Sequence, residues 1–187
     1  SINTVQSDTS YLTFDQNGAN EITTTAQSGY GGYTGEDNTN YTFDLWINTS
    51  DNSTATHGKG IIGNPNGNVW SQLIVRNDKV QFLSYVSSWQ YLSSTTTITD
   101  GNWHHVVFVN NSNQTGDIYI DGAHEANGTT ALSNGRHTKL IRLGSGYNTT
   151  GTSGYLTAQF AQVKVYDRAL SAAEVLKNYN SAKGRFS

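Results

Sequence analysis

The sequence predicts an all-β fold, a two-sheet antiparallel jelly-roll sandwich with one short C-terminal α-helix. Gly, Asn, Ser and Thr are abundant, and only 13% of the 187 residues are charged, which favours strands and turns over helices. Short apolar runs recur along the chain with turn residues between them, and one amphipathic segment follows the last run. Regular strand spacing with a single terminal helix is typical of two packed antiparallel sheets.

Residues 103–122 are the predicted centre of the fold. The first strand of this stretch has apolar side chains at both odd and even positions, and these point to opposite faces. Both faces must therefore be covered, as happens in the middle of a packed sheet. The second strand ends in Asp121-Gly122, a dipeptide that tolerates positive φ and favours a tight hairpin. Residues 123–126 are therefore expected to pair back onto residues 117–120.

The other strands are predicted from alternation and from turn residues. Residues 41–48 alternate cleanly, and Trp46 is the one large apolar side chain on their otherwise polar face. Two hairpins and five further strands complete the set. The hairpins join residues 11–14 to 19–24 and residues 69–75 to 80–86, and the single strands are 59–63, 89–92, 95–98, 139–143 and 156–166.

One helix is predicted directly after the last strand. Ser171 and Glu174 have the spacing of a capping box, in which each side chain accepts a hydrogen bond from the other residue's backbone N–H. A helix of about three turns is unstable alone in water, so it must dock on the sandwich. Its expected apolar face is formed by Ala172, Val175, Leu176 and Tyr179.

The chain is expected to form one domain, residues 11–187, after a polar segment, residues 1–10. A chain of this length can bury roughly 70% of its unfolded surface, enough for one sizeable core. No stretch approaches the ~20 apolar residues of a membrane span, and the first residues lack the features of a signal peptide. Cysteine is absent and the formal net charge is -3 without a basic run, so we expect neither disulfides nor a nucleic-acid partner.

Three stretches resemble the laminin-G-like branch of the concanavalin A-like lectin/glucanase superfamily. They are residues 41–47, residues 100–107 together with 118–122, and residues 163–171 continuing into Glu174. The resemblance implies a concanavalin A-like jelly roll. The family includes glycan-binding modules, adhesion modules and accessory domains of enzymes. The resemblance is therefore specific for the fold and does not select one function.

The end of the chain carries a narrower resemblance. Residues 174–186 look like the ending of such domains in tailed-phage structural proteins. This likeness implies display on a virion, with capsid or other virion proteins as partners.

Catalysis is not expected. Glycosidases of this fold need two carboxylates on one strand face, which the resembling family supplies as Glu-x-Asp-x-x-Glu, and no such run exists here. His104 and His105 are neighbours on a strand and must point to opposite faces, so they cannot share a metal ion with its three or four ligands. Both are expected to have structural roles.

Aromatic residues give the best binding hypothesis. A sugar presents apolar C–H faces between its hydroxyl groups, so a site needs a flat ring for stacking and polar groups for the edges. Trp46 and Trp103 are expected in the core, and each remaining candidate has a core role as its alternative. The candidate ligand-binding residues are Tyr30, Tyr33, Trp70, Trp89, Tyr91 and Tyr147.

Calcium is the one cofactor that the sequence offers. Glu36 and Asp37 lie in a glycine-rich loop and could supply oxygen ligands, with Asp51 and Asn52 as additional donors. The alternative is a solvated loop that binds no metal.

These observations predict a non-catalytic module displayed on a virion surface or outside the cell, as a phage decoration or fibre-associated protein that holds glycans. A capsid-cementing protein without a glycan ligand is one alternative. A secreted carbohydrate-binding or enzyme accessory domain is another. Self-association into a homo-oligomer is compatible with exposed sheet edges.

Overall fold

A computed structural model shows two antiparallel sheets and one terminal helix, as the sequence predicts. Every pairing between named strands is antiparallel. The structure describes residues 3–4, 11–15, 22–23, 40–64, 71–85, 88–111, 114–129, 142–146 and 154–186.

Sheet A has the spatial order β1-β13-β4-β9-β10-β11, and β2 also pairs with β13. Its strands are β1 (Asn3–Thr4), β2 (Leu12–Phe14), β4 (Tyr41–Asn48), β9 (Trp103–Asn111), β10 (Thr115–Ile120), β11 (Ala123–Thr129) and β13 (Ala158–Tyr166). The predicted central strand, β9, lies between β4 and β10, and its two apolar faces are covered by sheet B and by the terminal helix.

Sheet B has the order β3-β12-β5-β6-β7-β8. Its strands are β3 (Ile22–Thr23), β5 (Lys59–Asn64), β6 (Ser71–Arg76), β7 (Lys79–Tyr85), β8 (Trp89–Ser93) and β12 (Arg142–Leu143). Strand β8 is an edge of this sheet, so one row of its backbone groups has no neighbouring strand.

The main core fills the space between the two sheets. Sheet A contributes the alternate residues of β4 and β9, and sheet B contributes those of β6 and β7. The rings of Phe82 and Phe108 stack across this core with centroids 4.1 Å apart. The alternation read from residues 41–48 is confirmed, since Tyr41, Phe43, Leu45 and Ile47 all belong to this core.

The helix α1 (Ala172–Ala182) covers the outer face of sheet A. Val175 packs on Val107 and Val109 of β9. Trp46, which is 3% exposed, is the core residue that the sequence predicts, and its ring stacks on Phe186 at 4.4 Å. Sheet A is therefore buried on both faces, by sheet B and by the helix.

The predicted turn and cap chemistry is present. Asn77 and Asp78 both have positive φ in the two-residue turn between β6 and β7, and Asp121-Gly122 does the same between β10 and β11. The capping box at Ser171 and Glu174 is complete.

Three local predictions were wrong. Residues 11–14 and 19–24 form no hairpin: β2 pairs with β13 in sheet A, and β3 pairs with β12 in sheet B, because the chain crosses between the sheets. Residues 95–98 form a bend and an irregular segment instead of a strand, since the backbone N–H groups of Thr95 and Thr96 donate to the side chain of Glu125. The helix exposes Ala172 and Leu176, and its buried residues are Val175 and Ala182.

Candidate functional site

Two of the six aromatic candidates lie in the described part of the chain. Trp89 and Tyr91 are two residues apart on β8, so both side chains project from the same face. That face is the outer one, because Leu92, on the other parity, packs against the core. The other candidates, including the calcium ligands, lie outside the described residues: Tyr30, Tyr33, Trp70 and Tyr147, together with Glu36 and Asp37.

The turn at residues 55–58 packs against these two aromatic rings. Tyr91 Oη donates to the carbonyl oxygen of Thr56 at 3.0 Å. The His57 ring meets the Trp89 ring edge-on, with centroids 4.6 Å apart and planes at 74°. Partial burial lowers the pKa of His57, so its imidazole is neutral at neutral pH.

The turn is itself fixed to the β6–β7 hairpin. Asn52 Oδ1 accepts hydrogen bonds from the backbone N–H of Ser53 at 2.6 Å and of Asp78 at 2.9 Å. Asn77 N donates to the carbonyl oxygen of Ser53 at 2.9 Å. These bonds hold the turn over the outer face of sheet B before any ligand arrives.

Arg76 connects the turn to the three strands at this end of sheet B. Its guanidinium carbon lies 4.7 Å from the centroid of the Tyr91 ring. Arg76 Nε donates to the carbonyl oxygen of Ala55 at 3.0 Å, and Nη1 donates to Gln81 Oε1 at 3.4 Å. Gln81 Nε2 in turn donates to Ser93 Oγ at 3.2 Å.

We name this group the edge cluster, and it contains His57, Arg76, Gln81, Trp89 and Tyr91. The side chains of the two aromatic residues, His57 and Arg76 are each half-buried, so their positions are fixed and part of their surface stays accessible. Flat rings, an amide and a guanidinium lie together, which suits a ligand that has apolar faces and polar edges.

A buried amide lies on the same outer face, on β6, two strands away from Trp89 and Tyr91. Gln72 is paired across the sheet with Leu83, and Leu83 with Tyr91, so their side chains share one row. Gln72 is 1% exposed, and among the described residues neither its amide nitrogen nor its amide oxygen finds a hydrogen-bond partner. Burying such a group unpaired costs about 1–3 kcal/mol.

Sequence reasoning found only two members of the edge cluster. His57, Arg76 and Gln81 were missed because their relation to β8 depends on the order of strands in sheet B. The one available signal was alternation in residues 79–85, which places Gln81 on the polar face of the hairpin.

The two neighbouring histidines have structural partners and point to opposite faces, as expected. His104 Nδ1 and Nε2 lie 2.9 Å from Asp121 Oδ2 and 3.1 Å from Asp100 Oδ1. The hydrogen bond to Asp121 raises the pKa of His104. His105 Nε2 donates to Asp44 Oδ1 at 3.1 Å, beneath the helix.

The described residues do not assemble a metal site. Asp51 accepts both hydrogen bonds of the Lys59 ammonium group, at 2.6 and 2.7 Å, and one from Thr157 N at 2.9 Å. Asn52 Oδ1 is occupied by backbone donors. Across the described ranges, no group of three or more metal-ligating side chains comes together.

None of the helices in the described part of the chain combines the length and the apolarity needed to cross a membrane.

Two packed antiparallel sheets with one helix after the last strand define a jelly-roll sandwich. A family model of laminin G type, described as the concanavalin A-like lectin/glucanases superfamily, matches residues 16–176. The chain belongs to this family. A search of curated proteins found no match.

Solved structures share the fold at low sequence identity. The receptor-binding domain of botulinum neurotoxin type G has a TM-score of 0.68 and 15% identity, over 97% of this chain and 46% of that one. The binding domain of Paraclostridial mosquitocidal protein 1 has a TM-score of 0.68 and 14% identity, over 96% and 45%. The chain therefore spans less than half of either toxin domain.

An accessory domain of an enzyme is also similar. Domain 4 of a GH43 extracellular arabinanase from Geobacillus stearothermophilus, solved in complex with arabinotriose, has a TM-score of 0.61 and 21% identity. The match covers 76% of this chain and 66% of that domain. At these identities, the three structures support the fold alone.

Proposed function

We propose that this domain is a non-catalytic carbohydrate-binding module and that the edge cluster holds the glycan. The observation that carries the proposal is the pair of half-buried rings of Trp89 and Tyr91 on one face of β8, fixed by His57, Thr56 and Arg76. Rings that are already held in place lose little conformational entropy when a ligand binds.

In this arrangement the rings provide stacking surfaces, and the polar groups provide hydrogen bonds. Arg76 lies over one face of the Tyr91 ring, so a sugar stacks on the accessible surface of Trp89 or on the other face of Tyr91. Gln81 and Ser93 lie on the same face as these rings, and Gln81 Nε2 donates to Ser93 Oγ at 3.2 Å. Such groups exchange hydrogen bonds with sugar hydroxyls directly or through water.

The structural neighbours are consistent with a binding role. The two toxin structures are named as receptor-binding or binding domains, and the arabinanase domain was solved with a trisaccharide. These are properties of those proteins, and they support the proposal through the shared fold.

The proposal does not include hydrolysis, because no acid pair among the described residues faces the cluster. Hydrolysis requires one acid and one base or nucleophile on either side of a glycosidic bond. The Asp51 carboxylate is bound to Lys59, Asp44 is buried under the helix, and Asp78 accepts from Thr99 Oγ1 at 2.7 Å.

We also propose that the module is displayed outside the cell, on a phage virion as a decoration or fibre-associated protein. The resemblance of residues 174–186 to phage structural proteins supports this part. Mass spectrometry of purified particles is expected to detect the chain on the virion. If particles carry the chain and the isolated protein binds no glycan, a cementing role replaces glycan binding.

A glycan array followed by calorimetry tests the binding function. Trp89→Ala and Tyr91→Ala are each expected to weaken the binding of array hits at least about tenfold, because each removes a stacking surface. Tyr91→Phe keeps the ring and should retain most of the affinity.

The matched control is Tyr11→Ala. Tyr11 is 49% exposed, lies on sheet A beside Trp103 and should be silent in binding. Titrations with calcium and with a chelator test the ligands predicted at Glu36 and Asp37. An array without hits in either condition would refute the function.

A further inference from the structure

Arg76 is a cation without an acidic partner at the centre of the edge cluster. Two other described cations lie beside carboxylates, Lys59 beside Asp51 at 2.6 Å and Arg168 beside Glu174 at 2.8 Å. Lys79 donates to neutral oxygens of Thr95 and Thr97, away from the two aromatic rings. In the ranges that the structure describes, Arg76 forms no ion pair, and its neighbours are the neutral groups of Ala55, Gln81 and Tyr91.

These neutral contacts fix the plane of the guanidinium group and leave donors unused. Nε and Nη1 each donate one hydrogen bond, to Ala55 O and to Gln81 Oε1, and the Tyr91 ring lies beneath the plane. A guanidinium group has five N–H donors in a fixed fork, and none of the described residues accepts a hydrogen bond from Nη2, so we expect that side to bind a ligand. Because the arginine is already immobilised, a ligand that binds it avoids most of the ordering cost.

The matching ligand group is a carboxylate. Two parallel N–H···O bonds join a guanidinium edge to a carboxylate, and such charge-assisted bonds are stronger than neutral ones. The Arg76 side chain is half-buried, so a carboxylate bound there would be screened less than one at a fully exposed arginine.

The net charge of the chain does not favour the binding of acidic ligands. The formal net charge is -3, so the overall field does not attract an anion. Any preference for an acidic ligand must therefore come from a particular cation in the site.

We propose that the edge cluster selects acidic saccharides, with Arg76 binding the carboxylate of a uronic or sialic acid unit while the aromatic rings hold the sugar face. This inference rests on the proposed carbohydrate-binding function and names its ligand class. Arg76 is the specificity-determining residue, and Trp89 and Tyr91 supply affinity for acidic and neutral sugars alike.

The test compares tri-galacturonate with its methyl ester, which has the same sugar backbone without the charge. Calorimetry of the wild-type protein is expected to show about 10–100-fold tighter binding of the acid, the range for hydrogen bonds to a charged group. Arg76→Gln should bind both ligands with the affinity that the wild type has for the ester. Arg76→Lys should lose most of the preference, because an ammonium group lacks the planar fork.

Lys177→Gln is the control, since it removes the same charge from an exposed position on the helix side of the molecule. It should leave the acid preference unchanged. Melting curves of each variant establish folding, and if Arg76→Gln is unfolded, the wild-type preference and its loss in Arg76→Lys decide the question.

The outcomes separate the two proposals. Equal binding of acid and ester by the wild type, or a preference that survives in Arg76→Gln or Arg76→Lys, overturns the role of Arg76 and leaves carbohydrate binding in place. A wild-type protein that binds neither probe nor any glycan on the array overturns both.

Discussion

Asp44 is the residue whose removal we expect to damage the fold most specifically. It is 0% exposed, and its two oxygens accept from His105 Nε2 at 3.1 Å and from Asn178 Nδ2 at 2.7 Å. Asn178 Nδ2 also contacts Tyr166 Oη at 3.1 Å. The carboxylate therefore ties β4, β9 and the helix together at one buried point.

Asp44→Ala removes the acceptor of the buried His105 Nε2 and one of the two acceptors of Asn178 Nδ2. Removing a buried carboxylate that accepts two hydrogen bonds costs about 3–5 kcal/mol, and for a chain of this size each kcal/mol lowers the melting temperature by about 2–4 °C. We expect a fall of about 6–20 °C. Asn178→Ala should cost less, about 1–2 kcal/mol, because it deletes a neutral group.

Urea unfolding followed by tryptophan fluorescence measures both variants and their double mutant. Because the two residues share a hydrogen bond, their effects should be non-additive by about 0.5–3 kcal/mol. Asp117→Ala is the control: this carboxylate also contacts a histidine, His124 at 2.8 Å, and accepts from Asn111 and Asn127, but its side chain is 19% exposed and its histidine partner is exposed, so its loss should cost less than that of Asp44. A cost for Asp44→Ala no larger than that of the control would refute the reasoning.

Three further predictions concern the rest of the fold. The pKa of His104 is raised in the folded state. Its contribution to the free energy of unfolding is therefore complete at pH values below the unfolded pKa, and it is lost as the pH rises through the folded pKa. His104→Gln should remove this pH dependence in urea titrations between acidic and alkaline buffers. Ser171→Ala removes the helix N-cap and should cost about 1 kcal/mol by the same titration, and an unchanged midpoint would contradict the capping argument. A Cβ on Gly60 would lie 2.1 Å from the Ser145 carbonyl carbon, so Gly60→Ala should abolish soluble expression, whereas Gly184→Ala, with nothing within 4 Å, should melt like the wild type.

Long-range pairing explains which strand predictions failed. Residues 41–48 and 103–111 were identified because alternation and double-sided apolarity are properties of one strand. Residues 11–14 and 22–23 have equally clear local patterns, yet they belong to different sheets. Local sequence does not encode which distant strand supplies the partner.

For the helix, too, the sequence predicted a local feature correctly and a tertiary contact incorrectly. The capping box determined where the helix begins, because it involves only residues three apart. Its buried face was predicted from apolar residues, but Asn178 turns inward to the Asp44 carboxylate and Leu176 is 47% exposed. A polar partner in the sheet overrode the apolar pattern.

The sequence by itself determined the fold class, the central strand, the tight turns and the helix start, and it identified Trp89 and Tyr91 as candidates, because each depends on contiguous residues. Only the tertiary structure brought His57, Arg76 and Gln81 to those rings, through the β5–β8 order of sheet B. The side chains of this candidate site come from separate strands. They come into contact only when the strands pair and the sheets pack.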